Sequence, residues 1–179
     1  MKDLQKIIRN FSKARVLVIG DLILDEYIWG QVERISPEAP VPVVWANKRT
    51  YVPGGAANVA HNLRSLGAKA GLAGVVGKDH NRDIMLAGLA KDGIDTRAVF
   101  AEGGRHTTLK SRVFARHQQM VRIDWEHIHP ISREASHKLT DFICRKLDDF
   151  DAIIVEDYGK GVIDAALLES VIPQARRKK

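Results

Sequence analysis

The chain has 179 residues and a mass of 20.0 kDa, room for one domain with a sizeable core and not comfortably for two. Hydrophobic residues make up 45% and charged residues 28%, with 14 Gly and 6 Pro, a composition that excludes disordered and fibrous classes. The net charge is +6, but four positives close the chain (Arg176, Arg177, Lys178 and Lys179); removing them leaves 24 positives against 22 negatives, which argues against a nucleic-acid-binding surface. The polar start Met1–Asn10 does not read as a signal peptide. Val16-Leu17-Val18-Ile19 is a continuous apolar run, as in a strand buried on both faces, and it ends at Gly20-Asp21. Val41-Pro42-Val43-Val44-Trp45 reads as a short strand between turn residues. From Gly54 to Leu66 a glycine pair runs into a helix, with Ala56, Val59, Ala60 and Leu63 on one face and Gly67 as its stop. Gly71 to Gly77 predicts a strand and Asn81–Ala90 a helix ending toward Gly93.

Thr107 to Trp125 has the pattern of a hairpin. Thr108, Lys110 and Arg112 alternate with Leu109, Ser111 and Val113; after a turn at 116–118, Arg122 and Asp124 alternate with Val121, Ile123 and Trp125. Such alternation marks a sheet wet on one face. A helix over 132–147 follows, with Leu139, Phe142, Ile143 and Leu147 spaced as one stripe. It carries the single cysteine, Cys144, which cannot form an internal disulfide and reads as a small buried hydrophobe. Ala152-Ile153-Ile154-Val155 predicts a further buried strand, and 164–175 a last helix that Pro173 bends or ends. No apolar run approaches the roughly 18 residues of a membrane span.

This order predicts an α/β fold: a mainly parallel sheet flanked by helices, with a small antiparallel β lid built from segments 41–45 and 107–125. A crossover helix normally leads to another parallel strand. Here the sequence stops directly after one, so the expectation is that the C-terminal half of the fold is missing, with a natural terminal helix as the alternative. The chain reads as soluble and cytoplasmic.

In open α/β sheets ligands gather at the carboxyl ends of the strands. Two carboxylate pairs lie there, Asp21 with Asp25 and Glu156 with Asp157. A carboxylate beside a glycine suits gripping sugar hydroxyls, and it equally suits capping a turn; for Asp21 both remain open. Gly54-Gly55-Ala56-Ala57-Asn58 lets backbone approach a ligand closely, and Asn58 adds an amide. No G-x-G-x-x-G follows the first strand, and Gly71–Lys78 has the wrong spacing for a phosphate loop, with Asp79 where Ser or Thr belongs. Lys110, Arg112 and Arg122 converge on the polar face of the hairpin, either as a solvated face or as a trap for phosphate or carboxylate. His127 and His129, beside Pro130, read as loop residues rather than metal ligands, and no metal site is expected.

Gly20-Asp21-Leu22-Ile23-Leu24-Asp25, Arg34-Ile35-Ser36-Pro37-Glu38-Ala39-Pro40-Val41-Pro42-Val43, Pro53-Gly54-Gly55-Ala56-Ala57-Asn58-Val59-Ala60, Gln118-Gln119-Met120-Val121-Arg122-Ile123-Asp124 and Asp157-Tyr158-Gly159-Lys160-Gly161 together resemble the PfkB (ribokinase-like) carbohydrate kinases. Within that family they are most similar to the heptose 7-phosphate kinase domains that precede a fused heptose 1-phosphate adenylyltransferase. The resemblance covers Phe11 to Arg177, and the 35–43 string is its most specific part. It implies transfer of the ATP γ-phosphoryl group, with Mg2+, to the C1 hydroxyl of D-glycero-D-manno-heptose 7-phosphate, giving the 1,7-bisphosphate on the route to ADP-heptose and lipopolysaccharide core. It implies substrate binding by Asp21, Asp25, Gly54, Gly55, Asn58, Lys110, Arg112, Arg122, Asp157 and Lys160, and a homodimer formed through the lid, with no nucleic-acid or membrane partner. The family's catalytic base sits in a Gly-Ala-Gly-Asp motif in the second half, with most of the ATP site. Nothing in this sequence matches that motif, so no catalytic residue is expected here and the 179 residues alone are expected to be inactive. The alternatives are a non-catalytic module that binds sugar phosphate or dimerises through the lid, another sugar kinase of the family, and, disfavoured by the missing fingerprint, a dinucleotide-binding domain.

Overall fold

The structure, a computed structural model, describes residues 8 and 10–177. Most of the polar start and the final pair Lys178 and Lys179 of the basic end lie outside the described residues. Strands β1 (Arg15–Gly20), β4 (Lys69–Gly77), β5 (Asp95–Glu102) and β8 (Ala152–Glu156) form an all-parallel sheet in the order β5-β4-β1-β8. The apolar runs of β1 and β4 are buried along nearly their whole length because helices cover both faces. One face packs against α1 (Ala56–Ser65) and α2 (His80–Lys91), where Val18, Leu72 and Val76 meet Ala57, Ala60, Met85 and Leu89. The other packs against α3 (Arg133–Lys146) and α4 (Ala165–Arg176), where Leu17, Ile19 and Val75 meet Leu139, Ile143, Leu167 and Val171. Asp79, Ser132 and Asp164 cap α2, α3 and α4, each accepting a bond from the third residue on. Among the described residues no helix is long and apolar enough to cross a membrane.

A second sheet, in the order β3-β2-β6-β7, arises from two excursions at the carboxyl ends of core strands. The chain leaves β1 through Asp21 into β2 (Leu22–Ile35), returns in β3 (Pro42–Gly55) and enters α1. It leaves β5 into β6 (Thr108–Ala115) and β7 (Gln118–Trp125), then enters α3. Both excursions stand over the same end of the parallel sheet. That places their polar face where ligands of such folds gather.

The hairpin over 107–125 forms as expected, pairs outside the core sheet, and turns at Arg116–His117 with Arg116 at φ 56°. Other expectations change. The lid sheet is mixed rather than antiparallel, because β6 runs parallel to β2. The short strand over 41–45 is the start of the 14-residue β3, paired along its length with β2, which no short-strand pattern announced. The glycine pair closes β3 instead of opening the helix, which starts at Ala56. β5 was not expected; only Ala98 of its eight residues is buried, so its apolar signal is weak. Pro173 neither ends nor interrupts α4, which continues to Arg176; it lies in the last turn, where few hydrogen bonds remain to lose. Cys144 sits on α3, half-buried against the core and 3.2 Å from Gln174 Nε2.

Candidate functional site

Asp21 sits at the junction of the two sheets and is 1% exposed. Its Oδ2 accepts the backbone N–H groups of Tyr158 (2.8 Å) and Lys160 (3.0 Å), and its Oδ1 accepts that of Val162 (3.2 Å). These bonds are those of the turn-capping alternative. The carboxylate fastens the loop after β8 to the end of β1. Arg105 fastens the same loop from the far side, donating from Nη2 to the carbonyls of His129 and Lys160 at 2.7 Å each. The loop that presents Lys160 is therefore held at both its N–H and its C=O.

Register puts the remaining charged residues on one face of the lid. Asp25, Tyr27 and Trp29 of β2 lie beside Lys110, Arg112 and Phe114 of β6, and Lys110 and Arg112 lie opposite Asp124 and Arg122 of β7. Arg112 Nη1 donates to Asp25 Oδ1 at 2.5 Å, and its guanidinium lies 5.4 Å from the centre of the Tyr27 ring. Burial opposes the charge on Arg112, but the Asp25 carboxylate outweighs it and holds the guanidinium above its ordinary value. Lys110 Nζ donates to Asp124 Oδ2 at 2.9 Å and to Glu126 Oε2 at 3.2 Å. Lys160 Nζ reaches the other oxygen of Glu126 at 2.9 Å, and Arg122 Nε lies 3.0 Å from Asp124 Oδ1. Asp124 is held below the usual carboxylate range by its bond from Lys110, and Glu126 likewise by its bonds from Lys160 and Lys110.

Gly54 and Gly55 complete the junction. A β-carbon at Gly54 would lie 2.5 Å from Asp25 Oδ2, and Gly55 takes φ 55°, a conformation open to glycine. The first turn of α1 follows with no side-chain cap at Gly55 and with Asn58 exposed. Asp157 is exposed and its Oδ1 accepts the N–H of Gly159 at 2.8 Å. Burial and the Glu156 carboxylate raise Tyr158 above its ordinary value, with a smaller contribution from Asp25.

Asp25, Lys110, Arg112 and Arg122 thus share one polar face of the lid, with Gly54 against Asp25 and Lys160 joined to Lys110 through Glu126. Asp21 fastens the loop that carries Lys160, and Asn58 and Asp157 are exposed. Sequence reasoning missed Glu126, Tyr27 and Arg105. Glu126 had a usable signal, since Arg122, Asp124 and Glu126 continue one period-2 face. Among the described residues no group of three or more His, Cys, Asp or Glu side chains is placed to hold a metal. The rings of His106 and His127 meet at a tilt of 46° with centres 5.2 Å apart.

The arrangement, carboxylates interleaved with four cations beside glycine backbone, suits a polyhydroxylated ligand with an anionic group. A family model described as pfkB family carbohydrate kinase matches residues 13–179. The bifunctional protein HldE of Helicobacter pylori strain J99 is 47% identical over 163 residues, 91% of this chain and 35% of that protein. A putative phosphofructokinase from Staphylococcus aureus superposes with TM-score 0.68 at 15% identity, over 91% of this chain and 50% of that one. Ribokinase from Arabidopsis thaliana, solved with ribose and ATP, gives 0.62 at 14% identity, over 92% and 50%. The fold is ribokinase-like, and the chain spans about a third of the length of the curated relatives it matches.

Proposed function

We propose that this chain, which belongs to the pfkB family of carbohydrate kinases, is the sugar-binding part of a kinase that transfers the ATP γ-phosphoryl group to the C1 hydroxyl of D-glycero-D-manno-heptose 7-phosphate. The product is the 1,7-bisphosphate used for ADP-heptose and lipopolysaccharide core. The carrying observation is its likeness to HldE, the bifunctional heptose 7-phosphate kinase and adenylyltransferase, over nine-tenths of the chain. The polar face of the lid supports this reading. Asp25, Gly54, Gly55 and Asn58 take the sugar hydroxyls; Arg112, Lys110, Arg122 and Lys160 take the phosphate; Asp21 and Asp157 act through the loop after β8.

The residues present fit the acceptor and not the nucleotide. Neither glycine-rich run has the spacing that cradles a triphosphate. ATP and Mg2+ therefore enter as co-reactants of the whole enzyme, in the cytoplasm where ATP is made. The apolar face of the lid provides for a homodimer.

The test uses the full-length gene product with Mg-ATP and heptose 7-phosphate, scored by ADP release and by the 31P resonance of an anomeric phosphate. Turnover is expected, with ribose and fructose 6-phosphate poor substitutes. Preferential turnover of either substitute would move the assignment to another sugar kinase of the family.

A further inference from the structure

Glu126 stands one residue beyond β7, and its two oxygens each hold a lysine from a different sheet. Oε1 accepts from Lys160, on the loop after β8 of the core, at 2.9 Å; Oε2 accepts from Lys110, in β6 of the lid, at 3.2 Å. No strand pairing joins these two segments. Two ammonium groups left to themselves repel, so the carboxylate between them makes them neighbours. All three side chains are largely sheltered, with exposures of 17% for each lysine and 23% for Glu126. The Lys160 backbone is independently pinned by Asp21 and Arg105, so its side chain projects from a fixed base.

An ammonium carries three N–H donors. Lys110 gives one to Asp124 and one to Glu126, and Lys160 gives one to Glu126. Three donors remain on adjacent cations, the number of terminal oxygens on a phosphoryl group. With Arg122 and Asp124 counted, the cluster keeps a net charge of +1. Glu126 therefore does not have to leave for an anion to enter. A carboxylate that merely occupied the anion's place would have to be displaced.

We propose that Glu126 is a positioning residue that gathers Lys110 and Lys160 into a two-ammonium seat for a phosphoryl group and ties the lid to the core in doing so. The inference rests on the kinase reading above and adds to it a residue that no sequence pattern assigned. The phosphoryl group has two sources of the same chemistry, the phosphate carried by the sugar and the one delivered by the nucleotide.

The experiment uses the full-length gene product and the variants E126Q, E126D, K110M/K160M and the triple variant, each with a thermal melt. E126Q is expected to raise KM about tenfold for whichever phosphoryl ligand uses the seat, with a smaller change in kcat. E126D, which keeps the charge and shortens the reach, should recover part of that loss. Adding E126Q to K110M/K160M should change nothing further, because the carboxylate acts through the lysines. The KM that moves, for heptose 7-phosphate or for ATP, identifies the source. Unchanged or lowered KM for both in E126Q overturns the inference, as does a further loss of the same size in the lysine-free background. Should E126Q not fold, E126D is read in its place, with a rise of a few-fold expected and no change overturning. A wild-type protein that gives no ADP with heptose 7-phosphate removes the kinase reading and this inference with it; turnover with an indifferent Glu126 removes the inference alone.

Discussion

At the scale of single residues, the candidate site depends on charges that are already paired. Asp21 is the sharpest case, a buried carboxylate spent on three backbone N–H groups. Replacing it with alanine strands those donors beneath the loop and should cost about 3 kcal/mol, a fall in Tm on the order of 10 °C. Asp21→Asn keeps one acceptor and should fall between. Both should also weaken substrate use, since Lys160 hangs from the loosened loop. An Asp21→Asn protein with wild-type Tm and lost sugar affinity would return Asp21 to direct sugar contact. Asp124 and Glu126 give a second check. Both titrate below their ordinary range, held down first by Lys110 and Lys160 respectively. A carboxylate whose folded value is depressed adds stability at any pH above its unfolded value, about 4, and loses it as pH falls through the folded value. The lid-to-core bridge should therefore be intact at neutrality and give way only below about pH 4. Carboxyl 13C resonances that titrate at or above ordinary values for these two residues would contradict it.

At the scale of elements, the two long strands β2 and β3 decide what this polar face contains. Their register pairs Gly54 with Ile23 and leaves it against the Asp25 side chain, so Gly54→Ala should push Asp25 away from Arg112. An overpacked contact of this kind costs about 1–3 kcal/mol; the larger expected effect is loss of sugar affinity, checked by titration calorimetry with heptose 7-phosphate. The hairpin β6–β7 was legible because its faces differ: cations alternate with Leu109, Val113, Val121 and Ile123, and only one register keeps them apart. β2 was not, because Leu22-Ile23-Leu24 is buried on both faces at the base and Tyr27-Ile28-Trp29 is apolar on both faces above it. No period-2 signal survives there, and a strand of 14 residues is about twice the usual length. The cations were legible for the same reason as the hairpin. Glu126 continues the face of Arg122 and Asp124 but went unread, since it lies just past a strand end, where a carboxylate reads as solvated. The opposite face of the lid leaves Val121, Ile123 and Trp125 exposed by 47%, 45% and 55%. Covering them with a second copy's lid is the proposed dimer contact. Ile123→Lys should shift the sedimentation coefficient of the full-length protein from dimer to monomer. A monomer before the substitution would reject the contact.

At the scale of the whole molecule, the proposed acceptor site stands on a fold whose core sheet has an open edge. Among the described residues β8 pairs with β1 on one side and with no strand on the other. On its free side a cavity of about 610 Å³ opens beside Phe150, Ile153, Val155 and Ile172, with Val155 and Ile172 each 38% exposed. An unpaired parallel strand next to apolar surface invites strand addition and aggregation. Phosphoryl transfer is governed by positioning and by stabilisation of charge on the moving group. A base at the acceptor is of little use when the donor is not held, because fixing both reactants supplies roughly 7–11 kcal/mol at best. Asp157 is the carboxylate nearest to that role at a strand end, yet it is exposed and turned to the N–H of Gly159. The seat at Lys110 and Lys160 can hold one phosphoryl group, but nothing among the described residues cradles a nucleotide beside it. The 179-residue chain assayed by itself with Mg-ATP and heptose 7-phosphate should therefore release no ADP above background and should aggregate as its concentration rises. Supplying the remaining length of a curated relative on the same polypeptide should restore both solubility and turnover. ADP release by the 179 residues alone, abolished by Arg112→Ala, would show that these residues hold both substrates and would place the nucleotide against the free edge of β8.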